Sequence, residues 1–282
     1  MSSKSVVTAR AKLGNRRVTG KEQYYTPREL ASVLVSKVKQ LVPDFSSRIV
    51  LEPAGGTGAF VEAAKSAGAK KVLSVDIEPK HGDVDKADYL ATNLKLKDAV
   101  TISNPPFGRN NSLSIPFFNR AADHSEFIAF IVPRSWRKWS VMNRLDRRFH
   151  LIHDEDLAID YVDDTHTLIS QRNNLKTCFQ IWQRRDELRD IVKVEDRGYV
   201  TKVKPEEADI ALTVFGFSCG RVNEEFERKA NTTRMFLKLN HPKALAALKN
   251  MPYQRFSKNT AYTEALSFQE INFLLNEAIG KK

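Results

Sequence analysis

Residues 98–108 read DAVTISNPPFG, an apolar run that ends abruptly in an amide, two prolines and an aromatic ring. Residues 99–103 have the character of a short buried strand. Pro105 and Pro106 fix φ and remove two backbone donors, so the strand ladder stops there. Asn104 and Phe107 are thereby carried on a stiff turn at a strand end.

A second constellation lies upstream. Glu52-Pro53-Ala54-Gly55-Gly56-Thr57-Gly58 is a glycine-rich turn after a short strand at 49–51. It has neither the GxGxxG spacing of a dinucleotide fold nor the GK[ST] ending of a phosphate loop. Asp76 ends the next strand, 18 residues beyond Gly58, where a carboxylate can accept from both hydroxyls of a ribose. No part of this set requires a phosphate. A nucleoside without phosphates fits, and S-adenosylmethionine is such a molecule. Its sulfonium and amino-acid portions would lie over Gly55, Gly56 and Gly58. Glu52 would face the positively charged end, and Asp88 would accept from the adenine amine. Pro53 and Ile77, beside Glu52 and Asp76, complete the expected cofactor wall.

These residues need elements to hold them. Thr26-Pro27-Arg28-Glu29 reads as a helix start, with Thr26 as cap and Glu29 closing a capping box. Leu30, Val33, Leu34, Val38 and Leu41 follow at helical spacing. After the glycine turn come a helix at 59–67, a strand ending at Asp76 and a short segment around Asp88. The strand at 99–103, a helix near 116–122 and a strand ending at Pro133 follow. The stretches FHLIHDEDLAI and LKTCFQIWQRR read as a final strand pair. Strand, turn and helix repeated in this way mark an open α/β sheet.

Tyr24-Tyr25-Thr26-Pro27, the glycine turn from Glu52 to Gly58, Asp76, and Asn104-Pro105-Pro106-Phe107, in that order, resemble the adenine-N6 methyltransferases of the gamma order. That family includes modification subunits of type I restriction systems and related type II enzymes. The resemblance covers roughly residues 20–185 and implies a Rossmann-like class I methyltransferase fold, α/β, with a mostly parallel seven-stranded sheet flanked by helices. It implies S-adenosylmethionine as cofactor, with Tyr25 and Thr26 packing over it. It also implies a catalytic set of Asn104, Pro105, Pro106 and Phe107. An exocyclic adenine amine is a poor nucleophile because its lone pair is delocalised into the ring. The Asn104 side-chain carbonyl and the Pro105 backbone carbonyl would accept its protons, and no strong base is needed. Phe107 would stack on a base taken out of its helix.

The 282-residue chain carries a formal net charge of +11. Such an excess fits a polyanionic partner, and nucleic acid is expected, DNA ahead of RNA. Residues 1–21 hold six cations and no acid, and 1–22 read as a flexible basic arm in which Arg16 and Arg17 would lie along phosphates. A transit peptide has a similar composition. Arg109, Arg134, Trp136, Arg137 and Lys138 are the other expected nucleic-acid contacts. Core packing of the tryptophans is the plainer alternative. No apolar run is long enough to span a membrane and no secretory segment is evident, so an intracellular, cytoplasmic setting, bacterial, phage or viral, is expected. Cys178 and Cys219 lack metal or disulfide spacing. His150, His153, Asp154, Glu155 and Asp156 alternate faces on a strand, so no metal is expected.

The charged stretch after Arg185 divides a methyltransferase domain at 23–185 from a small α+β module at 186–282. DNA-modifying relatives use a large target-recognition domain or a separate subunit, so the short module either reads the target or leaves that to a partner. RNA adenosine methylation, protein glutamine methylation and a non-catalytic nucleic-acid-binding subunit are the competing readings.

Overall fold

A computed structural model of the chain describes residues 24–169 and 175–280. Arg16, Arg17 and the rest of the basic arm lie outside the described residues. The first sheet uses β1 (Ile49–Glu52), β2 (Lys71–Asp76), β3 (Asp85–Lys86), β4 (Ala99–Ser103), β5 (Ser125–Pro133), β6 (Phe149–Leu157) and β7 (Thr177–Arg184). Their order is β3-β2-β1-β4-β5-β7-β6. Pairings from β3 through β5 are parallel, and β7 runs antiparallel between β5 and β6. This is the Rossmann-like, mostly parallel seven-stranded α/β sheet that the sequence led one to expect.

Helices α1 (Arg28–Leu41) and α2 (Ala59–Ser66) cover one face. Leu34, Val38, Phe60 and Ala64 pack there on Val100, Ile102 and Ile131. The other face is covered by α3 (Ser114–Ala121) and α4 (Trp139–Met142). Its centre is Phe118, which meets Trp136, Phe149 and Trp182 edge-on at 5.6, 5.6 and 5.5 Å between ring centroids. Such pairs add about 0.5–1.5 kcal/mol each beyond burial. Both faces being covered explains why β4 and β5 read as continuous apolar runs rather than alternating ones.

Two local expectations are corrected. Thr26 does not cap α1. Pro27 occupies that position with ψ 143 and no side-chain cap, and Ala31 N donates to Pro27 O at 3.0 Å. The residue before a proline is driven to extended backbone, and the Thr26 side chain is buried instead. The helix expected near 116–122 begins at Ser114, with Pro116 still inside its first turn.

Beyond β7 the chain first runs back along the first sheet. Arg189 Nη2 donates to the carbonyls of Met142 (2.7 Å) and Leu145, and Val192 N donates to Asn143 Oδ1 at 3.1 Å. A second, four-stranded sheet follows, built from β8 (Val200–Lys202), β9 (Ile210–Thr213), β10 (Val222–Asn223) and β11 (Arg234–Leu239). All its pairings are antiparallel. It packs on α5 (Ala244–Asn250), α6 (Gln254–Ser257) and α7 (Phe268–Ile279) around its own core, in which Leu237, Leu248 and Leu275 are fully buried. Ser267 caps α7, and both bonds of the expected capping box with Glu270 are present.

Several contacts fasten this module to the first sheet, among them Lys176 N, which donates to Ala261 O at 2.7 Å just before β7. The Trp139 ring lies 5.1 Å from Phe256 and 5.0 Å from Phe273. Lys138 Nζ donates to both carboxylate oxygens of Glu270, at 2.9 and 3.0 Å.

Candidate active site

Strands β1, β2 and β4 are neighbours, so Glu52, Asp76 and Asn104 emerge together at their carboxyl ends, where ligands of open α/β sheets bind. A cavity of about 360 Å³ opens there. Of the site residues named from the sequence, Tyr25, Pro53, Asp76, Ile77, Asp88 and the whole Asn104–Phe107 turn line it. Thr26, Glu52, Gly55, Gly56 and Gly58 lie outside its lining.

Glu52 is 1% exposed. Its Oε1 accepts from Ala54 N at 2.9 Å and from Ser103 Oγ at 2.6 Å. Burial outweighs these bonds and pushes its carboxyl up to about 8. Glu52 Oε2 and the buried Thr26 Oγ1 have no partner among the described residues. Buried polar atoms without partners are rare and ask for an explanation. These two sit one residue from the cavity-lining Pro53 and Tyr25, and together they suit a ligand with a cationic, hydrogen-bonding end.

The glycine turn departs from the open cradle that the sequence led one to expect. Gly56, at φ +46, lies under the Tyr25 ring, and a Cβ there would stand 2.6 Å from it. Gly58, at φ +80, lies under His81 in the same way, at 2.5 Å. A Cβ on Gly55 would strike Ser74 Oγ and Val84. The missing side chains therefore admit the protein's own rings as well as a tight turn.

Asp76 accepts from Gly56 N at 2.9 Å and Glu78 N at 2.8 Å. Those bonds orient the carboxylate, and each oxygen keeps a lone pair for a further donor. Asp88 Oδ1 accepts from Leu90 N at 2.9 Å. Ile77 is 58% exposed on the wall beside Asp76, an apolar surface suited to a flat ring.

Asn104 is oriented from outside its own strand. Its Nδ2 donates to Tyr24 O at 3.2 Å. Tyr25 in turn exchanges two backbone bonds with Val162, at 3.1 and 3.2 Å, and Tyr24 meets Tyr161 edge-on at 5.9 Å. The segment before α1 is thus strapped down by the chain that follows β6. Tyr24, Tyr161 and Leu175 line the cavity without having been expected to. The aromatic Tyr24 beside Tyr25 was the one local signal for them.

A second, larger space of about 1000 Å³ lies between the first sheet and the C-terminal module. Tyr24, Phe107 and Leu175 line both spaces, so the two meet at the Asn104–Phe107 turn. Gly108, Asn110 and Asn111 all have positive φ on its floor, and Asn111 Nδ2 donates to Ser135 Oγ at 3.2 Å. Asparagine tolerates that backbone better than most residues.

The expected nucleic-acid contacts divide. Trp136 is fully buried, donates from Nε1 to Ser114 Oγ at 3.2 Å and belongs to the core, so its assignment is overturned. Arg137 pairs with Asp154 and Asp156, and Arg134 with Asp156 at 2.8 Å. Lys138 is committed to Glu270. The acidic run on β6 neutralises these arginines, which the linear sequence does not reveal. Arg109 is exposed on the wall of the larger space and forms no ion pair among the described residues. No metal-ligand cluster occurs among the described residues, and no helix there is long and apolar enough to cross a membrane.

No family profile matches the chain, and no curated protein matches it. Solved structures with a similar fold include the candidate RNA methyltransferase PH1948 from Pyrococcus horikoshii, 20% identical over 60% of this chain and 90% of that one, with a TM-score of 0.48. The Thermoplasma acidophilum protein 1320 is 19% identical over 59% and 92% of the two chains, with a TM-score of 0.46. The 23S rRNA methyltransferase ErmE is 14% identical over 61% and 72%, with a TM-score of 0.40.

Proposed function

We propose that this protein is an S-adenosylmethionine-dependent methyltransferase that acts on the exocyclic N6 of adenine in nucleic acid, with DNA as the first substrate and RNA as the second. The observation that carries this reading is the position of the Asn104–Phe107 turn at the junction of the two spaces, with its amide oriented by Tyr24 O. One space has the volume of a nucleoside-sized ligand site. The other is wide enough for a nucleotide and opens beside Arg109.

The residues present fit the cofactor. Asp76 and Asp88 offer acceptors for ribose hydroxyls and an adenine amine, and Ile77 offers an apolar face. Just behind the wall, next to the lining Pro53 and Tyr25, the partnerless Glu52 Oε2 and Thr26 Oγ1 favour its charged amino-acid end. When bound, S-adenosylmethionine supplies an electrophilic methyl group.

The chain's part is alignment and charge stabilisation. Asn104 Oδ1 and the Pro105 carbonyl accept the two amine hydrogens, which localises the nitrogen lone pair and stabilises the positive charge that develops. Two prolines keep both acceptors from relaxing. Phe107 stacks on the base. The C-terminal module, through Phe215 and the 260–265 segment, forms the far wall against which the substrate lies.

The test is transfer of labelled methyl from S-adenosylmethionine to duplex DNA, single-stranded DNA, structured RNA and a protein mixture, with digestion to nucleosides or amino acids. Label in N6-methyladenine supports the reading, and the substrate arm that carries it chooses between DNA and RNA. Label only in protein, or none with the cofactor bound, refutes it.

A further inference from the structure

The turn between β9 and β10, residues 214–221, holds Phe217 completely in solvent, at 105% of its reference accessibility. Two residues earlier, Phe215 is 47% exposed and lines the large space between the module and the first sheet. The turn is not loose. Gly216 N donates to Glu264 O at 3.0 Å, Cys219 N to Gly216 O at 3.0 Å and Gly220 N to Thr213 O at 2.8 Å. Phe215 also forms an antiparallel bridge with Ala265. Gly216 and Gly220, at φ +103 and +97, supply the backbone that lets so short a turn project its tip.

A rigid turn that keeps a large ring wholly hydrated forgoes the stabilisation its burial would bring. The surroundings identify what it meets. Arg109 and Arg144 line the same space from the opposite wall, are exposed, and form no ion pair among the described residues. Thr260, 8% exposed, lines it too, and its buried Oγ1 has no partner among the described residues. Guanidinium groups without ion pairs on one side, a buried hydroxyl and the Phe215 ring on the other, with Phe217 two residues further along the same turn, suit a polyanion that carries flat apolar rings.

Resting on the nucleic-acid reading above, we propose that Phe217 is a wedge that inserts between stacked bases next to the target nucleotide. It occupies the room vacated when the target base turns toward Phe107. Proteins that unstack nucleic acid use phenylalanine in this way, and the inserted ring offsets the lost stacking. Phe215 then contacts the same strand at the mouth of the space, and Arg109 and Arg144 hold its phosphates. Phe217 is a positioning residue, since it touches neither the reacting atoms nor the cofactor.

The experiment compares wild type, Phe217→Ala and Phe217→Trp on mixed-sequence DNA duplex, on the same strands heat-separated, and on structured RNA. Stacking on an aromatic side chain sets the scale, so Phe217→Ala is expected to lose about 10- to 100-fold in kcat/KM on the duplexed substrate. On separated strands, where there is no stack to open, it stays within about threefold. Phe217→Trp retains duplex activity, and its added emission is quenched when duplex binds. Equal losses on both substrates, or none, overturn the wedge while leaving the methyltransferase reading in place. If wild type methylates no nucleic acid, that reading fails, and the emission of Phe217→Trp decides the wedge alone. Quenching by duplex upholds it and its absence overturns it. The ring contacts only solvent, so an unchanged melting temperature for Phe217→Ala accompanies either result.

Discussion

Asn104 Nδ2 donates to the backbone carbonyl of Tyr24, across 80 positions of sequence, at 3.2 Å. That single bond joins the strand end that carries the proposed acceptor amide to the segment in front of α1. The segment is held in turn by the Tyr25–Val162 bridge. The cavity wall at Tyr24–Tyr25 and the Asn104 turn are therefore one mechanical unit. Val162→Pro removes the donor that Val162 N offers to Tyr25 O. It is expected to weaken cofactor binding and slow methyl transfer together, each by about tenfold, given about 1.4 kcal/mol for a lost hydrogen bond and a loosened strap. Titration calorimetry and single-turnover rates measure the two.

Glu52 is expected to make binding of the proposed cofactor pH-dependent. Burial raises its carboxyl to about 8, so at pH 7 about nine-tenths of the free protein carries it protonated. A cationic ligand end favours the carboxylate, so binding at pH 7 is expected to release about one proton. Affinity should rise by up to about tenfold per unit between about pH 5 and 8 and then level off. Calorimetry in buffers of different ionisation enthalpy reads the proton directly. The raised value also means that Glu52's own contribution to the stability of the unliganded fold is greatest below the ordinary carboxylate range and is lost as pH climbs through about 8. Glu52→Gln should flatten both profiles.

Gly56 cannot carry a side chain. At φ +46 with the Tyr25 ring in the way, Gly56→Ala is expected to cost about 1–3 kcal/mol and lower the melting temperature by roughly 2–10 °C. Differential scanning fluorimetry would measure it, and an unchanged melting temperature would show that Tyr25 moves aside freely.

Glu270 has two duties, closing the capping box of α7 and neutralising Lys138. Its side chain is 3% exposed and that of Lys138 is 17% exposed. Glu270→Ala leaves a largely buried ammonium unpaired, at a cost of about 3–5 kcal/mol. Glu277, in an exposed pair with Arg255, is the control, and Glu277→Ala should cost less than about 1 kcal/mol. Urea denaturation of both variants tests the difference.

What the sequence disclosed and what it hid follow from the range of the interactions involved. The strands at 49–52, 71–76 and 99–103 and the Ser267–Glu270 box are local patterns, and they formed where periodicity and capping chemistry placed them. Pro53, Asp76, Ile77, Asp88 and Asn104 share one cavity because adjacent parallel strands end side by side. The failures are pairings between distant residues. Nothing near Arg137 says that Asp154 will meet it, nothing near Lys138 points to Glu270, and Trp136 leaves contact and core readings both open until Phe118 and Trp182 surround it. The buried Thr26 hydroxyl likewise depends on the strap that folds over it, not on the helix that follows it.

The measurement that reaches the centre of this account is N6-methyladenine formed by wild type and Asn104→Ala at saturating S-adenosylmethionine, with cofactor affinity determined alongside. The account predicts N6-methyladenine from wild type and a rate about 100- to 1,000-fold lower from Asn104→Ala, with the cofactor dissociation constant changed less than about threefold. A variant as fast as wild type, or methyl groups found on another atom, would contradict it.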